Sequence, residues 1–361
     1  MLHMYEDALI KQLKLLVPFQ YTSSLISDFK KNLNMNLLLK MRALVLVSCF
    51  LVGACAHQEG TYTDSPLSNV SSLPNPDVTT HIVSLSNCTH QESDELNLNS
   101  QEPVTVIVHG CFSSAGRFRT LADVYAFHGQ QTVCFNYDDR ERLTSSSTEL
   151  IKAIEELSLV LQEPKIMLIG HSQGGLVARR ALTEEHSDRI EASNIEIDLV
   201  TISAPFGGIE AAAHCGSKTL AWLSFGLIKP ICQLITGRKY QDIPANSDFI
   251  SKPGNLTPSV NRHLKIVTDE VNTCRVYDEH GACIEDDFVF SVDEQKQHVV
   301  DRQPGLIPLA VKAGHVEIVG DSDTVPTKLI ELLQHQGLLR ATPKEDKGEL
   351  TRLLADLYLS P

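Results

Sequence analysis

The stretch KIMLIGHSQGGLVARRAL, residues 165–182, is the feature that most restricts how this chain can fold. An apolar run typical of a buried strand passes directly into residues typical of an amphipathic helix. The change falls on Gly170-His171-Ser172-Gln173-Gly174, so the backbone must turn from strand to helix within very few residues. A side chain at Gly170 or Gly174 would collide with neighbouring backbone there. We therefore expect a strand, a sharp turn and a helix, with Ser172 exposed on the strained turn.

Such a turn suits a nucleophile. It lifts the hydroxyl of Ser172 clear of the sheet and points the backbone N–H of Gln173 into the same space. The N-terminal dipole of the following helix favours negative charge developing there. The G-x-S-x-G pattern alone is weak, so this prediction depends on the strand before it and the helix after it. A tight turn without chemistry is the alternative.

A serine hydroxyl attacks only when a base removes its proton, and a carboxylate must orient that base. In the chain order Ser, Asp, His, the base should follow the last strand, and His315 comes directly after the apolar run 305–314. A histidine in a surface loop is the other interpretation. For the carboxylate we favour Asp287, with Asp269 and Asp286 as alternatives, and the usual fate of each is a solvated loop carboxylate.

Stabilising a developing oxyanion requires a second backbone amide, in addition to that of Gln173. This amide is expected in the loop after the strand that ends in VIVHG, residues 106–110, where Cys111 is the candidate.

Strand and helix patterns alternate along most of the chain. Strands are predicted at 103–110, 131–139, 165–170, 196–205, 263–269 and 305–314. An amphipathic helix is predicted over 147–163, capped by Ser147 or Thr148, and a last helix over 325–337. Such alternation predicts an α/β fold with a mostly parallel sheet covered by helices on both faces. Residues 206–262 interrupt the rhythm and form either a plain pair of core helices or a cap over an apolar substrate site.

The N-terminal part has the pattern of an export signal. Lys40 and Arg42 precede the apolar run 43–54, which is too short to span a bilayer comfortably. The residues VGAC, 52–55, resemble a bacterial lipobox, in which the cysteine is lipidated; here that cysteine is Cys55. The resemblance implies an exported lipoprotein of a bacterial envelope, with the outer membrane favoured because Ala56 follows Cys55, and with the periplasmic or surface side open. A cleaved signal or an uncleaved anchor is the alternative.

These observations divide the chain into five parts. Residues 1–34 are an upstream extension, with Met35 or Met41 as the alternative start. Residues 35–54 are the signal, 56–80 a flexible tether rich in Ser, Thr, Pro and Asn, 81–340 the α/β domain with its cap at about 206–262, and 341–361 a C-terminal tail.

Cysteine spacing and charge exclude several classes of function. None of the nine cysteines has the spacing with histidines that is typical of zinc sites, so no metal is expected. Cys274 and Cys283 bracket a polar loop and are the favoured disulfide for an oxidising compartment, with Cys215–Cys232 and Cys111–Cys134 as weaker candidates. The net charge of −14, without a basic stripe, argues against nucleic acid as a partner.

The segments VHG at 108–110, GHSQGG at 170–175 and TISAPFGGIEAA at 201–212 resemble the α/β-hydrolase superfamily, and within it the bacterial lipase and esterase branch. The similarity covers about residues 85–340. It implies an eight-stranded type of sheet and hydrolysis of carboxylic esters without a metal or other cofactor. It also implies a catalytic triad and an oxyanion hole, formed by Ser172, His315, Asp287, Cys111 and Gln173.

The prediction from sequence is therefore a lipase or carboxylesterase that forms an acyl-enzyme on a lipid or ester substrate and is held at a membrane by Cys55. Acyl transfer or thioester hydrolysis by the same residues is the alternative among enzymes. A non-catalytic envelope lipoprotein with a hydrolase-like fold is the alternative from another class.

Overall fold

The alternating strands and helices build one seven-stranded sheet in the computed structural model, which describes residues 72–88, 95–110, 118–186, 188, 195–210, 237–321 and 324–358. The strands within these ranges are β1 (Val78–Thr80), β2 (Leu85–Ser86), β3 (Leu96–Leu98), β4 (Val104–Val108), β5 (Gln131–Phe135), β6 (Lys165–His171), β7 (Glu196–Ile202), β8 (Val260–Asp269), β9 (Cys274–Tyr277), β10 (Cys283–Asp286) and β11 (Leu306–Lys312). The α-helices are α1 (Arg119–Phe127), α2 (Leu143–Val160), α3 (Gln173–Ala181), α4 (Asp248–Ser251), α5 (His298–Asp301), α6 (Thr327–His335) and α7 (Lys347–Tyr358).

The sheet has the strand order β11-β8-β7-β6-β4-β5-β2. Every pairing in it is parallel except that of β2 with β5. Strand β6 therefore lies near the middle, and the carboxyl ends of the parallel strands meet at one edge. The predicted α/β class is confirmed. The sheet has seven strands in the described part of the chain, compared with the eight-stranded type that the resemblance implies.

Both faces of the sheet are buried. Along β6, Ile166 and Leu168 face a core that includes α2 and α3, while Met167 and Ile169 face a second core that includes α1 and α6. A parallel sheet covered in this way needs apolar residues on both sides of each strand, which explains why its strands read as continuous apolar runs.

The folded part begins earlier than residue 81. Strand β1 pairs with β3, with Val78 opposite Leu98, and the amide of Ser72 donates to the carbonyl of Ala126 at 3.1 Å. Residues 72–80 thus belong to the domain, although the sequence places them in the tether predicted for 56–80. A strand of three residues is too short to show a periodic pattern.

The folded part also extends beyond residue 340. Helix α7 packs on α1, and the side chain of Tyr358 is fully buried. The predicted tail 341–361 therefore contains a docked helix as far as Tyr358, which its many charges concealed.

Helix α2 begins at Leu143, four residues before the predicted cap at Ser147. Its N-terminal amide is capped from another segment, because the carboxylate of Asp242 accepts from Leu143 N at 2.8 Å and pairs with Arg142 at 2.6 Å. The hydroxyl of Ser147 instead donates to the carbonyl of Leu143 at 2.7 Å inside the first turn. A cap supplied by a distant residue leaves no local signal.

Two disulfides link the described residues. Cys274 and Cys283, the favoured pair, are joined. Cys134 is bonded to Cys88, so its suggested pairing with Cys111 is wrong. The pairing of β2 with β5 places Ser86 opposite Cys134, which brings the nearby Cys88 within reach.

Several predictions fall outside the described residues. These are the signal and Cys55, the Cys215–Cys232 pairing, the oxyanion residue Cys111, and residues 211–236 of the cap. No helix in the described ranges is long and apolar enough to cross a membrane.

Candidate active site

Ser172 occupies the sharp turn between β6 and α3. It follows His171, the last residue of β6, and precedes Gln173, the first residue of α3. Its backbone has φ 56° and ψ −125°, a conformation that L-residues rarely adopt. The amide of Ser172 donates to the carbonyl of Ile202 in β7 at 2.8 Å. Ser172 is only 5% exposed, so the turn is strained as predicted but is more enclosed than expected.

The glycines of the turn are required by close backbone contacts. A Cβ at Gly170 would lie 2.5 Å from the carbonyl oxygen of Gly174, and a Cβ at Gly174 would overlap the carbonyl oxygens of Val108 and His109. The helix and the end of β4 can approach only because neither position has a side chain.

The loop after β4 lies directly against the turn. A Cβ on Gly110 would stand 3.0 Å from the Cβ of Ser172. Cys111, the expected second oxyanion donor, is the next residue along the chain and lies outside the described residues. Gln173 is fixed by its side chain, whose amide donates to the carbonyl of Asp139 at 2.9 Å.

His315 lies three residues after β11 and against the turn that contains Ser172. The rings of His315 and His171 are 4.7 Å apart, and Nε2 of His171 is 3.0 Å from the carbonyl oxygen of His315. Phe290 packs edge-on against the His315 ring at 5.0 Å. The structure thus brings His315 to the residue beside Ser172.

The carboxylate that contacts His315 is that of Glu270, the residue directly after β8. Its Oε1 lies 3.0 Å from Nδ1 of His315, and Glu270 is only 1% exposed. None of the carboxylates proposed from the sequence holds this position. Asp287 is the carboxylate that the sequence favours for this contact, but in the structure Glu270 makes it.

Asp287 holds the backbone of the His315 loop instead. Its carboxylate accepts from Val316 N at 2.9 Å and from Glu317 N at 2.9 Å, and its carbonyl accepts from His315 N at 3.0 Å. Burial raises the pKa of Asp287, although the amides of Glu317 and Val316 offset part of that rise.

The two alternatives are also excluded by position. Asp269 points to the surface and pairs with Lys312 at 3.3 Å. Asp286 is exposed, and its carboxylate accepts from Phe288 N at 3.3 Å.

Five hydrogen-bond donors surround the Glu270 carboxylate. Oε1 lies 2.6 Å from Ser203 Oγ and 2.8 Å from Thr268 Oγ1, in addition to His315 Nδ1. Oε2 accepts from Val289 N at 2.7 Å and from Phe290 N at 2.8 Å. Burial alone would raise the pKa of Glu270, but the hydrogen bond and charge of His315, with the bonds from Ser203 and Phe290, hold its net pKa below the ordinary value.

The alternation along β8 is the signal that could have identified Glu270. Leu264, Ile266 and Thr268 are fully buried on one side of the strand, and Glu270 continues that series. Asp269 belongs to the opposite side. Glu270 is thus the carboxylate on the buried side of the strand end, next to the partly exposed Asp269.

No group of three or more metal-ligating side chains occurs in the ranges that the structure describes. The groups that are present there are a serine in a strained turn, an imidazole and a buried carboxylate. They lie at the carboxyl ends of β6, β11 and β8, where parallel α/β sheets bind their ligands.

Comparison with known proteins gives one family match. The family described as the PGAP1-like alpha/beta domain matches residues 99–214, which include β4 to β7 and the turn at Ser172. No curated protein matches the chain.

Many solved structures resemble the chain at low sequence identity. The mature lipase BlEst2 of Bacillus licheniformis has a TM-score of 0.45 and 13% identity, covering 74% of this chain and 100% of that one. The monoacylglycerol lipase of Paleococcus ferrophilus has a TM-score of 0.36 and 16% identity, covering 59% and 87%. A lipase-esterase related protein of Clostridium acetobutylicum has a TM-score of 0.39 and 12% identity, covering 72% and 98%. The observed sheet topology, together with the family match, shows that the fold is that of the α/β-hydrolases.

Proposed function

We propose that this α/β-hydrolase fold carries a serine hydrolase that cleaves carboxylic esters, of the lipase and carboxylesterase class. The observation that carries the proposal is the buried contact of His315 Nδ1 with Glu270 Oε1, next to a serine in a strained turn. A nucleophile, a base and an orienting carboxylate are the three parts that acyl transfer from an ester requires.

In the proposed mechanism, Nε2 of His315 takes the proton of Ser172 Oγ while that oxygen attacks the ester carbonyl. The carbonyl π electrons move onto oxygen and form a tetrahedral oxyanion. The backbone amides of Gln173 and Cys111 would stabilise this charge, aided by the N-terminal dipole of α3.

The tetrahedral intermediate then collapses. The bond to the leaving alcohol breaks, His315 donates its proton to the alkoxide, and the acyl group remains on Ser172 Oγ. Water attacks the acyl-enzyme with His315 again as base, and release of the acid restores the Ser172 hydroxyl.

Glu270 supports both steps through its charge. Because its pKa is held low, the carboxylate is ionised when Nδ1 of His315 carries a proton. It can then fix the tautomer of the ring and stabilise the imidazolium that forms in each step.

The first experiment is labelling with a fluorophosphonate probe, with hydrolysis of p-nitrophenyl esters from short to long acyl chains. We expect the wild type to be labelled and active and Ser172→Ala to be neither. Ser84→Ala is a matched control, because Ser84 also has a positive φ (67°) but lies in the turn before β2. A folded wild type that takes no label would support the non-catalytic lipoprotein. Labelling without ester turnover, with activity on thioesters or an added alcohol, would support the alternative reactions.

We further propose that the substrate is a lipid or ester and that Cys55 is lipidated after export. The lipid on Cys55 would hold the enzyme at the membrane that contains the substrate. The two disulfides support export, because such bonds persist in oxidising compartments. Metabolic labelling with an alkynyl fatty acid tests the anchor, and Cys55→Ser should abolish incorporation. Cys49→Ser, in the same apolar run, should leave it unchanged.

A further inference from the structure

We infer that Ser203 is a positioning residue of the proposed hydrolase, whose hydroxyl lies between Glu270 and His315 and fixes the proton on Nδ1 of the ring. This inference rests on the proposed function. The Ser203 hydroxyl is 2.6 Å from Glu270 Oε1 and 3.0 Å from His315 Nδ1. The sequence prediction assigned this residue no role.

The backbone places Ser203 as it places Ser172. Each serine directly follows the last residue of a strand, Ser172 after β6 and Ser203 after β7, and each has a positive φ, 56° and 49°. The amide of Ser203 donates to the carbonyl of Ile266 in β8 at 2.9 Å. A non-glycine residue is rarely held in this region unless its surroundings enforce it. The strained backbone turns this hydroxyl toward the acid and the base.

One arrangement of protons around an ionised Glu270 accounts for the contacts of Ser203 and His315. The carboxylate can only accept, so the proton on Nδ1 of His315 points to Oε1 and the single proton of Ser203 also donates to Oε1. A lone pair of Ser203 Oγ therefore faces the Nδ1–H, 3.0 Å away. The ring proton has two acceptors on this side, which leaves the lone pair of Nε2 free for the proton of Ser172.

Thr268 completes the arrangement without replacing Ser203. Its hydroxyl is 2.8 Å from Glu270 Oε1 and 2.7 Å from Ser203 Oγ. It has no hydrogen bond to His315 among the described contacts of that ring. Ser203 is therefore the hydroxyl that touches both members of the pair.

The test compares the rates of fluorophosphonate labelling in Ser203→Ala and Ser203→Gly with that of the wild type. Alanine removes the hydroxyl and keeps the strained backbone, whereas glycine removes both. If the hydroxyl positions the ring, both variants should be labelled about 10-fold more slowly, as expected for a lost hydrogen bond to a charged pair. If only backbone strain matters, the alanine variant, which keeps that strain, should match the wild type, and the inference fails.

The matched control is Ser84→Ala. Ser84 has a positive φ and its hydroxyl donates to the carboxylate of Glu149 at 2.6 Å, so it copies the serine–glutamate contact away from the base. Its labelling rate should equal that of the wild type.

A double-mutant cycle separates positioning from a purely structural role. In a Glu270→Gln background the pair is already broken, so Ser203→Ala should change the labelling rate less than about 3-fold. An equal loss in both backgrounds would contradict the inference.

The Nδ1 proton resonance of His315 in the NMR spectrum gives a readout independent of activity. We expect Ser203→Ala to shift this resonance and Ser84→Ala to leave it in place. A wild type that is not labelled, with a resonance that moves in Ser203→Ala, would reject the proposed function and keep the positioning role. A labelled wild type with an unmoved resonance and an unchanged rate would reject the positioning role alone.

Discussion

Glu270 supplies the carboxylate that contacts the imidazole of the candidate site. It is buried, yet five donors from four segments of the chain converge on its two oxygens. A buried carboxylate remains ionised only with such compensation, because desolvation otherwise favours the neutral acid. The Glu270 carboxylate is therefore ionised next to the imidazole before any substrate binds.

The first prediction separates Glu270 from Asp287. Glu270→Gln should reduce ester turnover by up to ~10,000-fold, because an amide at Nδ1 disturbs the tautomer of the ring. Asp287→Asn should reduce turnover less, since its contacts are to the backbone of the His315 loop. Hydrolysis of a p-nitrophenyl ester measures both variants. A larger loss in Asp287→Asn would return the role of the acid to Asp287.

The second prediction concerns acid stability. The pKa of Glu270 is lowered in the folded state, so the unfolded state binds its proton more tightly. The stabilisation from Glu270 is thus complete above its unfolded pKa of about 4.5 and is lost as the pH falls through the folded value. The free energy of unfolding, measured by urea denaturation, should fall with pH below about 4.5 more steeply in the wild type than in Glu270→Gln. Equal slopes in this window would contradict the direction of the shift.

Among the elements, the hairpin of β9 and β10 connects Glu270 to Asp287, which holds the backbone of the His315 loop. Glu270 precedes the hairpin and Asp287 follows it. Thr273, at the start of the hairpin, is hydrogen-bonded to both residues. The Thr273 hydroxyl donates to the carbonyl of Glu270 at 2.7 Å, and the Thr273 carbonyl accepts from Asp287 N at 3.2 Å. The hairpin itself stands in solvent, with Tyr277 and Ile284 each 62% exposed. Its disulfide lies in the exposed part.

The third prediction follows from this arrangement. Replacing both Cys274 and Cys283 by serine removes a cross-link whose loop-closure effect is about 2–3 kcal/mol in the chain-entropy treatment. We expect faster hydrogen exchange at the amides of Val289 and Phe290, which bind Glu270, and slower fluorophosphonate labelling. Helix α2 supplies the internal reference, because its exchange should not change. Unchanged hydrogen exchange at both amides would show that the hydrogen bonds of Thr273 fix the start of the hairpin without the disulfide.

At the scale of the whole molecule, the fold could be predicted from sequence because its strands and helices are locally encoded. Buried parallel strands and amphipathic helices leave continuous patterns, and Gly170 and Gly174 mark a turn that must be tight. The predicted serine and histidine follow from their order along those elements. The contact between Glu270 and His315 could not be predicted in the same way, because β9 and β10 lie between the end of β8 and Asp287 and no local pattern shows which of these carboxylates reaches the ring. The caps and the Cys88–Cys134 bond depend on pairings between distant segments, which no local pattern records.

The fourth prediction tests whether the turn controls folding of the whole domain. Gly174→Ala places a Cβ against the carbonyl oxygens of Val108 and His109, so β4 and α3 cannot pack, and we expect little folded protein by circular dichroism. Gly348→Ala is the matched control, because Gly348 lies in α7 with open space around it. That change should raise the free energy of unfolding by up to about 1 kcal/mol. A stable Gly174→Ala variant would show that the turn tolerates another geometry.

Within the described part of the chain, strand β11 pairs with β8 alone and ends the sheet. It leads to His315, whereas Ser172 follows β6 near the centre of the sheet. An outer strand can detach while the interior stays intact, because it has one neighbour to lose and not two. Mild heating should therefore separate His315 from Ser172 first and leave a protein that is inactive but still folded. Cooling would restore it without the chain having to refold.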